Sequence, residues 1–120
     1  MSPANYPQRG EIYLLEFKDT EGHAMRFRHP ALVIQNNKAN RYSGVILVVP
    51  LTTTLKVAEL PVGVLVDPPE GGLDKPSVVH CGQIHTVGRD EFVPGRLLGR
   101  LSAITMEKVN KALRISLDLA

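Results

Sequence analysis

The sequence predicts a mainly β protein in which a small antiparallel sheet curls into a barrel or sandwich and one helix ends the chain. Two observations support this fold class. Short apolar runs rich in β-branched residues alternate with turn-forming residues over the first three quarters of the chain. Near the C-terminus, apolar residues recur at helical spacing instead. We therefore expect about six to seven antiparallel strands and a C-terminal helix.

The predicted strands are separated by short polar links. Residues 18–28 and 36–44 are polar, and both are predicted to be functional loops because their Gly, Asn-Asn and Ser-Gly residues favour turns. The run Asp67-Pro68-Pro69-Glu70-Gly71-Gly72 must end a strand, since neither strand nor helix crosses it easily. The strands are predicted at residues 11–17, 31–35, 45–50, 62–66, 77–80 and 83–87.

The C-terminal helix is predicted to begin near Thr105, which can cap it, and Glu107 suits the positive end of its dipole. Its apolar stripe should pack on the sheet. A weaker pattern, interrupted by Pro94 and Gly95, allows a short helical turn at residues 91–98. The stripe consists of Met106, Val109, Leu113 and Leu117.

A length of 120 residues, with 43% hydrophobic and 22% charged residues, fits one globular domain. We expect residues 1–120 to form it, with residues 1–8 as a loose tail. The chain has no apolar run of the roughly 18 residues needed for a membrane span and no signal sequence, so we expect a cytoplasmic protein. The single Cys81 excludes an internal disulfide and a cysteine-rich zinc site. His80, Cys81 and His85 lack a clear fourth ligand for a tetrahedral metal site, so no metal or cofactor is predicted.

Positive charge is concentrated in residues 22–58, which contain five Lys/Arg and no Asp or Glu. All 12 acids lie outside this window, so its formal charge is +5 although the net charge of the whole chain is only +2. Clustered Lys and Arg release counterions from phosphates and steer association with polyanions. The window therefore indicates a nucleic-acid partner.

RNA cleavage without a metal needs a base for the ribose 2′-hydroxyl, neutralisation of the phosphorane charge, and a proton for the departing 5′-oxygen. Arg26, Arg28 and His29 precede one predicted strand, and Thr52 and Thr53 follow another. Antiparallel strands can bring such ends together at one rim as a phosphate site. The alternative is that the arginines are solvated loop charges and the threonines simply end a strand.

Short motifs along nearly the whole chain carry a family resemblance. In order they are Arg9-Gly10-Glu11-Ile12-Tyr13, Gly22, His29-Pro30-Ala31-Leu32-Val33-Ile34-Gln35-Asn36, Pro50-Leu51-Thr52 and Gln83-Ile84-His85-Thr86-Val87. The closing segment adds Gly99, Leu101, Met106, Val109 and Leu113. In order and spacing, from about residue 8 to residue 119, these motifs resemble the MazF/PemK toxins of bacterial toxin-antitoxin systems.

The resemblance implies an SH3-like small barrel of the CcdB/PemK type that works as a homodimer. It implies a sequence-selective, metal-independent endoribonuclease, an mRNA interferase, that cuts single-stranded RNA and leaves a 2′,3′-cyclic phosphate and a 5′-hydroxyl. No cofactor is implied. The implied protein partner is a cognate acidic, MazE-like antitoxin, with which the toxin binds DNA. The charge pattern allows this partner, because a basic groove attracts an acidic disordered tail.

The resemblance places an Arg before the Pro and a Thr after the third strand at the scissile phosphate. Thr52 matches that Thr, but the residue before Pro30 is His29. An Arg is permanently charged and can grip two phosphate oxygens, whereas a His titrates near neutral pH. Three interpretations stay open: His29 acts as acid or base itself, Arg28 or Arg26 takes the vacated role, or the protein binds RNA and antitoxin but cuts poorly. A rival from another class is a CcdB-like gyrase-binding toxin.

Further RNA contacts are predicted from polar and aromatic side chains. Four lie in the segment 36–44, where the polar ones can follow the RNA backbone and the aromatic one can stack on a base: Lys38, Asn40, Arg41 and Tyr42. The alternative for these four is an ordinary exposed turn. The same groove is predicted to include Thr53 and Gln83, and Arg9 is predicted either to line it or to pair with acids elsewhere. His80 and His85 are interpreted as strand residues at the sheet surface, and Cys81 as a small buried residue.

Overall fold

The computed structural model of the protein describes residues 6–17 and 28–120. These residues form a mainly β fold, as the sequence predicts. The elements are β1 (Glu11–Leu15), β2 (His29–Val33), α1 (Asn37–Tyr42), β3 (Val45–Thr52), β4 (Gly63–Val66), β5 (Ser77–His80), β6 (His85–Gly88), β7 (Leu97–Arg100) and α2 (Ala103–Leu117). Within the described ranges, neither helix has the length and apolar character needed to cross a membrane.

The strands form one antiparallel sheet in the order β4-β5-β3-β2-β1-β7, with β6 also paired to β3. The long strand β3 explains this arrangement, because one edge pairs with β2 while its two halves pair in turn with β6 and β5 on the other edge. The sheet curls strongly. The rings of Phe17, just beyond β1, and His85, on β6, lie 4.8 Å apart by centroid although β2 and β3 separate their strands. The curled antiparallel sheet confirms the predicted fold class.

Alternate residues of β3 divide the interior into two apolar clusters, as expected for side chains that alternate across a sheet. Val49 and Leu51 belong to the cluster beneath α2, where Val109 and Ala112 are buried. The other face carries the second cluster, formed by Tyr13, Leu15, Phe17, Ala31, Val33, Ile46, Val48 and Val87. The predicted packing of the C-terminal helix on the sheet is confirmed. The second cluster, on the other face, includes no residue of α2.

The start of α2 differs from the prediction by one turn. Ser102, not Thr105, is the N-cap: its hydroxyl accepts a hydrogen bond from the backbone N–H of Thr105 at 3.2 Å. The Ser102 backbone N–H in turn donates to Glu70 Oε2 at 2.9 Å, and this bond is the main cause that holds the pKa of Glu70 below its ordinary value. Sequence spacing alone did not reveal the Ser102 cap, because Ser102 also bonds to Glu70, which lies 32 residues away in the chain.

Two predicted loops contain regular structure. Residues 36–44 were predicted as a loop but include the six-residue helix α1, which begins at the Asn36 cap. Residues 91–98 were predicted to allow a helical turn; a 3₁₀ turn at Pro94–Arg96 leads there into β7, which pairs with β1. Gly72 lets the preceding turn approach β7, because it has φ +73° and a Cβ there would collide with the Leu98 carbonyl.

Candidate active site

The ends of β2 and β3 bring His29 and Thr52 together. Ala31 of β2 lies opposite Pro50 of β3. His29 and Thr52 each lie two residues beyond this pair, and residues two apart on a strand project from the same face of a sheet. Both side chains line an open cleft of about 590 Å³ at the edge of the second apolar cluster.

The cleft combines an apolar wall with uncharged or titratable polar groups. Its apolar residues are Phe17, Pro30, Pro50, Leu51 and Val57. Its polar residues are His29, Thr52, Thr53, Thr54, Ser77, His80, Gln83 and His85. Among the described residues that line it there is no Lys, Arg, Asp or Glu. The polar groups can therefore donate hydrogen bonds or exchange protons, and any positive charge that they contribute comes from imidazoles.

Thr52 is oriented by its own backbone. Its Oγ1 accepts a hydrogen bond from the backbone N–H of Thr54 at 3.1 Å, which uses one lone pair of the oxygen. A hydroxyl has one donor and two acceptor positions, so the Thr52 proton remains available to donate. The half-buried side chain faces the cleft. This arrangement suits a hydrogen bond to a phosphate oxygen.

The structure adds two histidines that sequence reasoning left without a role. His80 ends β5 and His85 begins β6, as the strand predictions indicated, and both line the same cleft as His29. His80 Nδ1 accepts a hydrogen bond from the backbone N–H of Gly82 at 3.1 Å, while the His85 ring packs on Phe17. The signal in the sequence was the repeated His near strand ends, but strand pairing was needed to place them together.

The two candidate arginines do not join this group in the described structure. Arg28 Nε lies 3.8 Å from Glu16 Oε1, and the two side chains are 50% and 43% exposed. Arg28 is not among the residues that line the cleft, consistent with the opposite orientation of neighbouring side chains in extended chain. Arg26 lies outside the described residues. Of the four predicted catalytic residues, the structure brings together His29 and Thr52.

Five of the seven predicted RNA contacts divide into two groups. Thr53 and Gln83 line the cleft. Lys38, Arg41 and Tyr42 are exposed on α1, outside the cleft lining, and the Arg41 guanidinium lies 5.3 Å from the centroid of the Tyr42 ring. Their roles in RNA binding stay predictions.

The prediction for Asn40 is wrong. Its side chain is 0% exposed and cannot follow an RNA backbone. Its amide donates to the Gln35 carbonyl at 2.9 Å and accepts from the Gln35 side-chain amide at 3.0 Å. Asn40 therefore holds α1 against Gln35, which follows β2, and this role is structural.

Arg9 does not line this cleft, and its role in RNA binding stays a prediction. Its Nε donates to the Ile34 carbonyl at 2.7 Å, and its terminal nitrogen donates to Asn110 Oδ1 at 2.7 Å. These bonds hold the guanidinium in a different groove, of about 510 Å³, between the sheet and the end of α2. Partial burial lowers the pKa of Arg9.

Cys81 is buried, as predicted, and burial raises the pKa of its thiol to about 11. A thiol is a poor nucleophile while it stays protonated, so Cys81 has the character of a core residue. Within residues 6–17 and 28–120, no group of three or more His, Cys, Asp or Glu residues is placed to hold a metal ion.

Comparison with known families decides the chain's relationship. The sequence profile of the family described as "PemK-like, MazF-like toxin of type II toxin-antitoxin system" matches residues 8–117. The chain belongs to this family. The MazF/PemK resemblance of the sequence motifs is thereby confirmed.

Individual relatives of this MazF/PemK-family chain cover nearly its whole length. The endoribonuclease MazF of Staphylococcus saprophyticus is 32% identical over 93% of this chain and 92% of its own length. The endoribonuclease EndoA of Bacillus subtilis is also 32% identical, over 93% of this chain and 95% of its own. A mycobacterial endoribonuclease solved with its cognate antitoxin superposes with a TM-score of 0.78 at 32% identity, covering 95% of this chain and 97% of that one.

Proposed function

We propose that this chain is an endoribonuclease toxin of a toxin-antitoxin system that cuts single-stranded mRNA at selected sequences without a metal ion. Family membership and relatives named as endoribonucleases support the class of activity. The observation that carries the mechanism is the β2–β3 register, which puts an acid-base group and a hydroxyl donor on one face of one cleft.

In the proposed reaction the ribose 2′-oxygen attacks the adjacent phosphorus while a base removes its proton. The bond from phosphorus to the 5′-oxygen then breaks, and the departing oxygen takes up a proton. The products are a 2′,3′-cyclic phosphate and a 5′-hydroxyl, so no water enters this step. His29 can accept the first proton or supply the second, because an imidazole exchanges protons near neutral pH. Thr52 donates to a non-bridging oxygen as negative charge develops there.

His29 is favoured over Arg28 as the residue that takes the role of the family Arg. His29 lines the cleft, whereas Arg28 lies outside the lining and pairs with Glu16. Arg26 remains an alternative, because the segment that carries it lies outside the described residues. An Arg26→Ala variant separates these two: it keeps cleavage if His29 acts itself, and it loses cleavage if Arg26 supplies the charge.

The proposed protein partner is a cognate acidic antitoxin, and the toxin is proposed to act as a homodimer in the cytoplasm, where its mRNA substrate occurs. A relative that is 32% identical is solved with its cognate antitoxin, which supports the partner. The acid-free segment 22–58 supports it further, because its positive charge attracts an acidic chain as well as RNA.

The product ends test this proposal. A mixed-sequence RNA is incubated with the protein in EDTA, and the fragments are treated with polynucleotide kinase with and without prior phosphatase. We expect 5′-hydroxyl ends that are labelled without phosphatase, cyclic phosphates at the 3′ ends, and no cut at a nucleotide lacking its 2′-hydroxyl. RNA that stays intact at high protein concentration, or fragments with 5′-phosphates, would contradict the mechanism. Intact RNA together with gyrase inhibition would instead favour the CcdB-like alternative.

A further inference from the structure

A second groove, of about 430 Å³, runs between β4 and α2 at one edge of the sheet. Strand β4 stands at the end of the strand order, so within the described residues β5 is the strand that pairs with it. Val64 and Leu65 both line the groove although neighbouring strand residues project from opposite faces, which places the groove at the edge of the sheet. Strands β5 and β3 separate β4 from β2, and the undescribed residues 18–27 lie between β1 and β2.

The main chain of β4 offers hydrogen-bonding groups at this edge. The Cys81 backbone N–H donates to the Val62 carbonyl at 2.9 Å. Hydrogen-bonded pairs recur at every second residue of an antiparallel ladder, so Val64 and Val66 also direct their polar groups towards β5. Leu65, between them, directs its N–H and C=O away from β5. An edge of this kind is a template for one more strand.

The helix side of the groove combines positive charge with apolar surface. Four residues at helical spacing share one side of α2 and line the groove: Lys108, Lys111, Ala112 and Ile115. Both lysines are exposed, and Ile115 is 48% exposed. On the sheet side, Leu60 and Leu65 are exposed to a similar extent. Lys108 also helps to lower the pKa of Glu70, so its charge is shared with that carboxylate.

We infer that this groove binds an extended acidic segment of a partner protein, which adds a strand to β4 and pairs its carboxylates with Lys108 and Lys111. Main-chain bonds to Leu65 align the segment, and pockets beside the edge select its alternate side chains. Its apolar side chains cover Leu60 and Ile115. The inference goes beyond the proposed function, because the groove and the candidate active site share no lining residue among those described.

The chemistry of the groove favours an acidic peptide over RNA and over a second copy of the chain. Single-stranded RNA is bound largely by stacking on aromatic side chains, and the described lining of this groove is aliphatic apart from its two lysines. Two β4 edges paired about a two-fold axis would set Lys108 and Lys111 of both copies along one seam, where like charges repel. A carboxylate-bearing strand has the opposite charge.

Synthetic peptides test the two parts of the inference at pH 7. The probe is a short peptide of alternating Glu and Val residues, capped at both ends and labelled with a fluorophore, and anisotropy measures its binding. We expect saturable binding that weakens as salt is added, and no binding of the matched peptide with Lys in place of Glu. Methylating the backbone nitrogens of one alternate set of residues should abolish binding, while methylating the other set should not. No binding of the Glu-Val peptide at about 1 mM, or equal binding of both methylated peptides, would overturn the inference.

Variants of the protein locate the binding site. Lys111→Gln should weaken binding about two- to fivefold, which is the effect of one surface ion pair. Arg114→Gln is the matched control, because it removes a cation of α2 that lines a different groove, and it should leave the affinity unchanged. Leu65→Pro removes the N–H at the edge and should weaken binding more than Leu65→Ala, which keeps it. Equal losses for Lys111→Gln and Arg114→Gln, or for the two Leu65 variants, would contradict the proposed site.

Hydrogen exchange of the wild-type protein, followed by NMR, gives a readout that does not depend on any variant folding. In the free protein the Leu65 N–H should exchange faster than those of Val64 and Val66, and binding of the Glu-Val peptide should protect it. A Leu65 N–H that stays unprotected with the peptide bound would overturn strand addition. Protection by an RNA oligonucleotide in place of the peptide would assign the groove to RNA. Protection that rises with protein concentration alone would assign it to a second copy, and either result would overturn the inference.

Discussion

Replacing Thr52 with Val removes one hydroxyl from the cleft while keeping a β-branched side chain on the strand. Thr52 Oγ1 accepts one hydrogen bond at 3.1 Å from the Thr54 backbone, so the variant loses this bond as well as the donor that we propose for the phosphate. Loss of one donor to a developing oxyanion typically lowers kcat by about 10² to 10³, or roughly 3 to 4 kcal/mol. Loss of one partly exposed hydrogen bond costs about 1 kcal/mol of folding stability, or roughly 4 °C in Tm.

Single-turnover cleavage of a fluorophore-labelled RNA measures the first effect, and thermal melting followed by circular dichroism measures the second. Thr52→Ser is the matched control, because it keeps the hydroxyl and should retain cleavage within about tenfold of the wild type. The reasoning fails if Thr52→Val cuts at the wild-type rate. It also fails if the Ser and Val variants lose the same amount of activity, since the hydroxyl would then not be the group that matters.

Three further predictions concern residues outside the cleft. Asn40→Ala should lower the free energy of unfolding by about 2 to 3 kcal/mol, because it leaves buried hydrogen-bond partners unpaired. Lys38→Ala, on the exposed side of the same helix, should change it by less than about 0.5 kcal/mol. Equal Tm values for the two variants would contradict this expectation. Folding lowers the pKa of Glu70 from its ordinary value of 4.5, chiefly through the hydrogen bond from the Ser102 backbone N–H. The stabilisation that this bond gives is therefore present above pH 4.5 and is lost as the pH falls through the lower pKa of the folded state. The stability difference between the wild type and Glu70→Gln should therefore shrink below pH 4.5 in urea melts, and a constant difference would refute the assignment. Cys81, with its pKa raised to about 11, should react with iodoacetamide at pH 8 only when urea unfolds the chain, so rapid labelling of the native protein would contradict its burial.

Much of the fold could be predicted because its strongest elements have local signals. The β-branched runs correspond to strands, and the stripe containing Val109 corresponds to α2. The strand Leu97–Arg100 was missed because four residues that follow a Pro-Gly turn have too little periodicity, and pairing with β1 makes them a strand. The helix Asn37–Tyr42 was missed because its sequence is polar and a buried Asn40 stabilises it through contacts beyond the helix.

The candidate site was predictable in part for a similar reason. His29 and Thr52 stand at strand ends, where sequence position alone suggests a common rim. His80 and His85 could not be assigned, because their face depends on the register of both β5 and β6 with β3. Arg9 could not be placed, because the sequence does not show that its guanidinium is held by the Ile34 carbonyl and the end of α2.

The central claim is that His29 itself supports metal-independent cleavage in place of the family Arg. One gel tests it most directly, by comparing the wild type, His29→Ala and His29→Arg on the same RNA in EDTA. We predict that the wild type cuts the RNA and that His29→Ala is slower by at least about 10², the usual contribution of a positioned acid-base group. Intact RNA with the wild type and cut RNA with His29→Arg would contradict the claim and identify the chain as a family member that binds RNA but has lost its chemistry.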